Sequence, residues 1–362
     1  MKLKIGIIGC GGIGMNKHMP ALANLDEVEL VGFCDAVRER AEKARDSFGA
    51  TGANVYTDYK DLLANEEIQV VHICTPNKSH APIAIDALES NKHVMCEKPM
   101  AKTAVEAQAM VDAAKKTGKK LSVGYQNRFR PDSQYLKTLC ANNELGEIYF
   151  AKAHAIRRRA VPTWGVFLNE EEQGGGPLID IGTHALDLSL WMMDNYKPKY
   201  VVGNVYHKLS STENAANAFG SWNPDEFKVE DSAFGFITME NGATIILETS
   251  WALNTLDEGE AITSLFGTAG GAEMKKGLVI NGEAHGCLYE KKINIGSDGV
   301  AFYEGQEEPE HFMEARAWIA CIINDTEPVV KPEEAMVITQ ILEGIYESAK
   351  TGKPVYFNNN KS

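Results

Sequence analysis

The chain has 362 residues, and 36 Lys and Arg against 50 Asp and Glu leave a formal charge of −14. That acidity repels polyphosphate at long range and excludes a dedicated nucleic-acid binder; a hydrophobic share of 44% excludes a disordered chain. No apolar run approaches the roughly 18 residues of a membrane span. The start, MKLKIGIIGCGG, has no cleavage site behind an apolar core, so a cytoplasmic location is expected. The seven cysteines are odd in number and form no C-x-x-C, so they read as small buried hydrophobes in a reducing compartment, with no metal site expected.

In chain order, Leu3–Ile8, Val28–Phe33, Val70–Cys74, His93–Cys96 and Leu121–Gly124 read as strands. The segments Ala36–Phe48, Ser79–Ser90 and Thr103–Thr117 read as helices between them. Most of these strands are continuously apolar, as a parallel sheet covered on both faces requires. The alternation predicts right-handed crossovers and an α/β, doubly wound Rossmann domain over 1–125. Beyond Tyr125 the rhythm changes. Ile148–Ile156, Tyr200–Leu209, Ser232–Met239, Ala243–Trp251 and Ala261–Phe266 read as strands, with Asn241-Gly242 a hairpin turn. Helical patterns follow at Leu178–Met193, His311–Ile323 and Pro332–Lys350. These predict an α+β domain over 126–362 with an open, mostly antiparallel sheet, which binds substrate and joins copies into a homodimer or homotetramer. Ser210–Lys228 is too long for an ordinary connection and carries Phe219, Trp222 and Phe227, so it reads as functional, a lid over substrate, or as interface. The tail 358–362 is expected to fray.

Gly9-Cys10-Gly11-Gly12-Ile13-Gly14 fits G-x-G-x-x-G between a strand and a helix, the setting a dinucleotide site needs. The first glycine serves the tight turn, the second the approach of pyrophosphate, the third close helix–strand packing. Asp35 lies 21 residues after Gly14 at a strand end, where a carboxylate accepts ribose hydroxyls and repels a 2′-phosphate. NAD is therefore favoured over NADP, although Arg38 and Arg40 could each turn toward a phosphate. Two later strand ends should meet this site: Thr75-Pro76-Asn77-Lys78-Ser79-His80 and Glu97-Lys98-Pro99. Taken singly, the first reads better as a helix cap, with Asn77 or Ser79 as N-cap, and Lys98 as a solvated lysine.

The residues Gly9–Gly14, Asp35, Thr75-Pro76-Asn77-x-x-His80, Glu97-Lys98-Pro99 and the run from Gly175 to His184 together carry a resemblance. In that order, and across both domains, the chain resembles the glucose–fructose oxidoreductase / inositol dehydrogenase / rhizopine catabolism (Gfo/Idh/MocA) family. The resemblance implies NAD(P)-dependent hydride transfer at a secondary hydroxyl or ketone of a sugar, glycoside or cyclitol. It implies that Lys98, Asp180 and His184 carry the chemistry, and that Thr75, Asn77, His80, Glu97 and Gln126 line the dinucleotide. Arg157-Arg158-Arg159-x-x-Pro162-x-Trp164 resembles members acting on sugar rings, some of which oxidise a glycoside at C3.

The chemistry suits the residue types. Asp180 and His184 are four apart on the predicted Leu178–Met193 helix, with Pro177 at its first turn. His184 has the intrinsic pKa of a general base near neutrality. Asp180 can orient the imidazole or hold a neighbouring hydroxyl. Lys98 can stabilise the developing alkoxide. The bland alternative is an ordinary surface pair. Asp180, His184 and His80 would make three metal ligands, but a nicotinamide already removes the hydride. Arg157 binds hydroxyls and Trp164 offers a sugar ring an apolar face; interface packing and surface salt bridges explain them equally well. Two rival readings use much of the same sequence: glycoside cleavage through transient C3 oxidation, and a non-catalytic NAD-binding sensor.

Overall fold

The computed structural model describes residues 2–295 and 308–357; the tail expected to fray lies outside them. The chain forms two compact units. One holds the chain through Gln126 together with Glu308–Met336, and the other holds the rest.

The first unit contains β1 (Leu3–Ile8), α1 (Met19–Ala23), β2 (Val28–Cys34), α2 (Arg38–Phe48), β3 (Asn54–Tyr56), α3 (Tyr59–Leu63), β4 (Val70–Ile73), α4 (His80–Glu89), β5 (His93–Cys96), α5 (Ala104–Thr117) and β6 (Leu121–Val123). Its six strands are parallel in the order β3-β2-β1-β4-β5-β6, the doubly wound arrangement expected. The central strands bury every residue of β4 and nearly all of β5, which explains their unbroken apolar runs. Strand β3 escaped the sequence because three residues give no periodicity.

The second unit contains α6 (Pro131–Ala141), β7 (Ile148–Ile156), α7 (Glu170–Gln173), α8 (Thr183–Met193), β8 (Pro198–Tyr206), β9 (Ser232–Met239), β10 (Thr244–Ser250), β11 (Gly259–Gly267), β12 (Gly271–Glu273), β13 (Val279–Ala284) and β14 (Cys287–Lys292). After these come α9 (Glu310–Ile323), α10 (Pro332–Thr351) and β15 (Val355–Tyr356). The sheet runs β14-β13-β12-β11-β7-β10-β9-β8-β15 and is antiparallel except where β7 and β10 pair in parallel. Helix α8 packs on β7 and β11.

Packing interrupts the second domain expected at 126–362. Helix α9 sends Ala315, Trp318, Ile319 and Cys321 into the first unit's core beside Met19, Leu22 and Val28. The helix expected at Leu178–Met193 is also not uniform. It opens as a π turn, Leu178–Gly182, and becomes α-helical at Thr183. A second π turn, Gly14–His18, follows the glycine motif. There Pro20, in the first turn of α1, lacks the N–H that would continue an i→i−4 ladder. Among the described residues no helix is long and apolar enough to cross a membrane.

Candidate functional site

The glycine turn divides its labour. Gly9 has φ +96° and an added Cβ would lie 2.5 Å from the Cys74 carbonyl oxygen; at Gly14 it would lie 2.6 Å from the Gly9 oxygen. These two glycines permit the turn and the close helix–strand approach. At Gly11 and Gly12 an added Cβ would meet nothing within 4 Å. Ile13 precedes the π turn. Asp35 braces the loop: Oδ2 accepts the Cys10 N–H at 2.9 Å and Oδ1 the Val37 N–H at 2.9 Å. Each oxygen keeps a second lone pair for a hydroxyl. Arg40 is exposed on the first turn of α2, while Arg38 is tied to Glu42.

Past β4, the buried Thr75 hydroxyl has no hydrogen-bond partner among the described residues. Asn77 opens a single 3-10 turn. His80 is fully buried and staples two loops, its ring nitrogens lying 2.7 Å from the Pro99 carbonyl and 2.9 Å from the Thr75 carbonyl. Burial pulls its pKa below the usual range against both carbonyls. Past β5 comes Glu97, buried, then Lys98, half-buried, joined to Pro99 by a cis peptide bond. Glu97 Oε1 meets His18 Nε2 at 2.8 Å and Oε2 accepts the Lys98 N–H at 3.0 Å. Gln126 accepts from Lys17 Nζ at 3.1 Å. Open space beside Gly11 and Gly12, an orphan hydroxyl and a carboxylate at the end of β2 fit a dinucleotide.

In the second unit, Asp180 lies in the π turn and His184 in the first turn of α8, both half-buried beside an apolar helix. Asp180 Oδ2 accepts from Trp251 Nε1 at 3.0 Å. The entry to the turn is held from outside it. Glu230 Oε2 accepts the Gly176 N–H at 2.9 Å, and Oε1 accepts the Leu178 N–H at 3.1 Å and the Tyr346 hydroxyl at 2.9 Å. The two backbone donors would otherwise be orphans of a helix start. The Gly175 and Gly176 positions admit no side chain: a Cβ would run into the Tyr346 hydroxyl and the Glu230 carbonyl oxygen. Asp187 belongs to the scaffold, forming a fully buried bidentate pair with Arg128.

Arg157 is occupied: Nε and Nη2 reach Glu260 at 2.5 and 2.9 Å, and Nη1 the Ala160 carbonyl at 3.1 Å. Trp164 is 51% exposed and meets Phe219, 46% exposed, edge to face at 4.8 Å. Phe167 lies between Trp164 and Trp251. The 210–228 segment is pinned rather than loose. Trp222 donates to the Ser210 carbonyl at 2.9 Å, Asn217 bonds the Val161 backbone, and Phe227 packs near Trp251. Of its three aromatics only Phe219 faces out.

Sequence reasoning missed Trp251, Glu230, Tyr346 and His18. Trp251 and Glu230 stand 71 and 54 residues from their partners Asp180 and Gly176, beyond any local pattern. Only His18, four residues past the glycine motif, carried a readable signal, a histidine on an apolar helix.

Comparisons with known proteins bear on both units. The profile described as an oxidoreductase family with an NAD-binding Rossmann fold matches residues 3–125, and that of the GFO/IDH/MocA C-terminal domain matches 133–273. D-glucoside 3-dehydrogenase of Escherichia coli is 35% identical over 356 residues, covering 98% of this chain and 97% of that protein. Inositol 2-dehydrogenase of Salmonella typhimurium is 34% identical over 200 residues, covering 54% and 56%. Among solved structures, levoglucosan dehydrogenase in complex with NADH shares the fold, with a TM-score of 0.81 at 21% identity over 98% of this chain and 99% of that one.

Proposed function

The chain belongs to the Gfo/Idh/MocA oxidoreductase family, and from that premise we propose that it is an NAD-dependent dehydrogenase acting on a secondary hydroxyl of a sugar, glycoside or cyclitol. The observation that carries this reading is the Asp180–His184 pair at the start of an apolar helix, with Asp180 held by Trp251. A bound nicotinamide supplies the hydride acceptor. The chain's own residues do the rest. His184 takes the hydroxyl proton. Asp180, fixed by the indole, orients that imidazole or holds the adjacent hydroxyl. Lys98 stabilises the alkoxide as charge develops. Gly11 and Gly12 leave room for the pyrophosphate, and Asp35 receives the ribose hydroxyls, favouring NAD over NADP. Thr75, Asn77 and Gln126 line the same cofactor, His80 holds together the two loops that frame it, and Arg40 stands near its ribose end. Trp164 takes the sugar ring against its exposed face.

Similarity along nearly the full length to a D-glucoside 3-dehydrogenase supports glucosides, oxidised at C3, as the substrate class. NAD reduction across methyl glucosides, inositols and free aldoses tests this; failure with every one overturns the reading. His184→Asn and Lys98→Ala should each lower kcat/KM on the order of 10²–10⁴-fold with NAD still bound. Asp35→Ser should narrow the preference for NAD by about tenfold.

The even-numbered face of the second sheet exposes Val202, Tyr206 and Phe236, and Phe236 pairs across strands with Ile246 and Val202. Such a face supports a homodimer or homotetramer. A monomer in sedimentation at micromolar concentration would contradict it. The free cysteines support a cytoplasmic setting.

A further inference from the structure

His18 is buried in the first unit, at the end of the π turn that follows the glycine motif. Its two ring nitrogens have two different partners. Nδ1 lies 3.0 Å from Nδ1 of His72, which projects from β4, and Nε2 lies 2.8 Å from Glu97 Oε1 at the end of β5. Glu97 spends its other oxygen on the Lys98 N–H at 3.0 Å. A buried chain of polar groups thus runs from the cofactor-side helix to the backbone of Lys98. Its members are all side chains that a protein does not bury without use.

We propose that His18 is a positioning residue for Lys98: by gripping Glu97 it fixes the backbone from which the Lys98 side chain projects. Which nitrogen of His18 bonds which partner decides the protonation. Nε2 donates to the carboxylate. When Nδ1 also carries a proton it donates to His72, which must then be neutral with its proton on Nε2. That Nε2 has no partner among the described residues, so the ring of His72 cannot ease the cost of a second charge. The surroundings agree on where the proton sits. Burial pulls His18 down, but Cys74 and Glu97 outweigh it and hold the imidazole well above its usual range. Burial and the neighbouring His18 hold His72 well below. Glu97 is pushed up by burial, yet the His18 bond and charge, then Lys98, bring it down to about 2. Lys17 on the same turn and His311 on α9 also face this cluster. Glu97, assigned by resemblance to the cofactor, accordingly acts on Lys98 with both oxygens engaged inside the protein.

The proposal rests on Lys98 serving the chemistry, and its test separates the two ideas. Gln places its amide nitrogen where Nε2 stands; Asn places its own where Nδ1 stands. His18→Gln therefore keeps the grip on Glu97 and drops His72, while His18→Asn does the reverse. With the full chain, His18→Asn should lower kcat about 10- to 100-fold with KM for sugar and Kd for NAD within threefold, and His18→Gln should stay within threefold of wild type. In the cofactor-free protein, the Lys98 amide resonance should shift in His18→Asn and hold in His18→Gln. Equal kcat in the two variants, or an unmoved Lys98 amide in both, overturns the proposal. If His18→Asn does not fold, a shifted Lys98 amide or a more than threefold loss of kcat in His18→Gln overturns the proposal. Wild-type turnover in Lys98→Ala would sink the function reading instead, leaving the amide readout to judge the grip.

Discussion

Glu97 follows β5 in the first unit and Glu230 precedes β9 in the second; each is buried and each accepts a backbone N–H beside a residue of the proposed chemistry. Their partners differ. Glu97 faces a histidine that holds its proton, and despite the push of burial its carboxyl falls to about 2. Among the described residues Glu230 accepts only from neutral donors. Burial pushes its carboxyl up, and the Gly176, Leu178 and Tyr346 bonds offset this only in part. Hydrogen bonds to an ionised carboxylate favour it, but only a nearby opposite charge outweighs full desolvation here. One clamp is an ion pair, the other a cap on a helix entry.

The largest expected effect separates these two kinds of clamp. Glu97→Gln leaves the His18 charge buried without its counter-ion, a loss of about 3–5 kcal/mol. At roughly 2–4 °C per kcal/mol for units of this size, Tm should drop by about 6–20 °C. Glu230→Gln keeps one amide oxygen for Leu178 and Tyr346 but turns an NH₂ toward the Gly176 N–H. One lost bond and one unmet donor cost about 1–3 kcal/mol. Thermal unfolding of both variants checks the order; equal losses would mean that the His18 charge does not govern Glu97.

A smaller signature lies in pH. Glu97 has a depressed folded pKa, so its contribution is present above the ordinary carboxylate value and is lost as pH falls toward 2. Glu230 has a raised one, so its contribution is complete below that value and is lost as pH rises through the folded pKa. Between pH 4 and 6 the Tm deficit of Glu97→Gln should therefore grow, while that of Glu230→Gln should shrink. Parallel slopes would refute the opposite shifts. His93, held at about 4 by burial with Lys119 and Lys120 beside it, adds a cost common to both variants as pH falls below about 6.5.

Much of this was legible in the sequence wherever the signal is local. The glycine motif, Asp35, Lys98-Pro99 and the Asp180–His184 spacing stand on short runs at strand or helix ends, and the strands from β1 to β6 kept their apolar runs except the three-residue β3. What failed is either too short to show its period or nonlocal. A π turn has the same apolar spacing as an α-helix over one turn, so Leu178–Gly182 read as α. Helix α9 shows an apolar face but not which core receives it. Glu230 looked like one more acid in a polar stretch, since Tyr346, its partner, stands 116 residues away. Arg157 looked available for substrate because Glu260, 103 residues on, gave no hint of pairing.

The smallest test isolates one bond of the second clamp. Tyr346 reaches Glu230 Oε1 from α10 with its hydroxyl over Gly175, where no Cβ fits. Tyr346→Phe removes the donor and little volume, leaving that oxygen with the Leu178 N–H. The loss should be about 1 kcal/mol, the ordinary net value of one hydrogen bond. Tm should drop by roughly 2–4 °C. The backbone bonds to Gly176 and Leu178 remain, so the π turn and Asp180 should stay in place and kcat should remain within about twofold of wild type. A kcat loss as large as that expected of His18→Asn would show that Tyr346 is part of what places Asp180. The two clamps would then be alike in function despite their different charges.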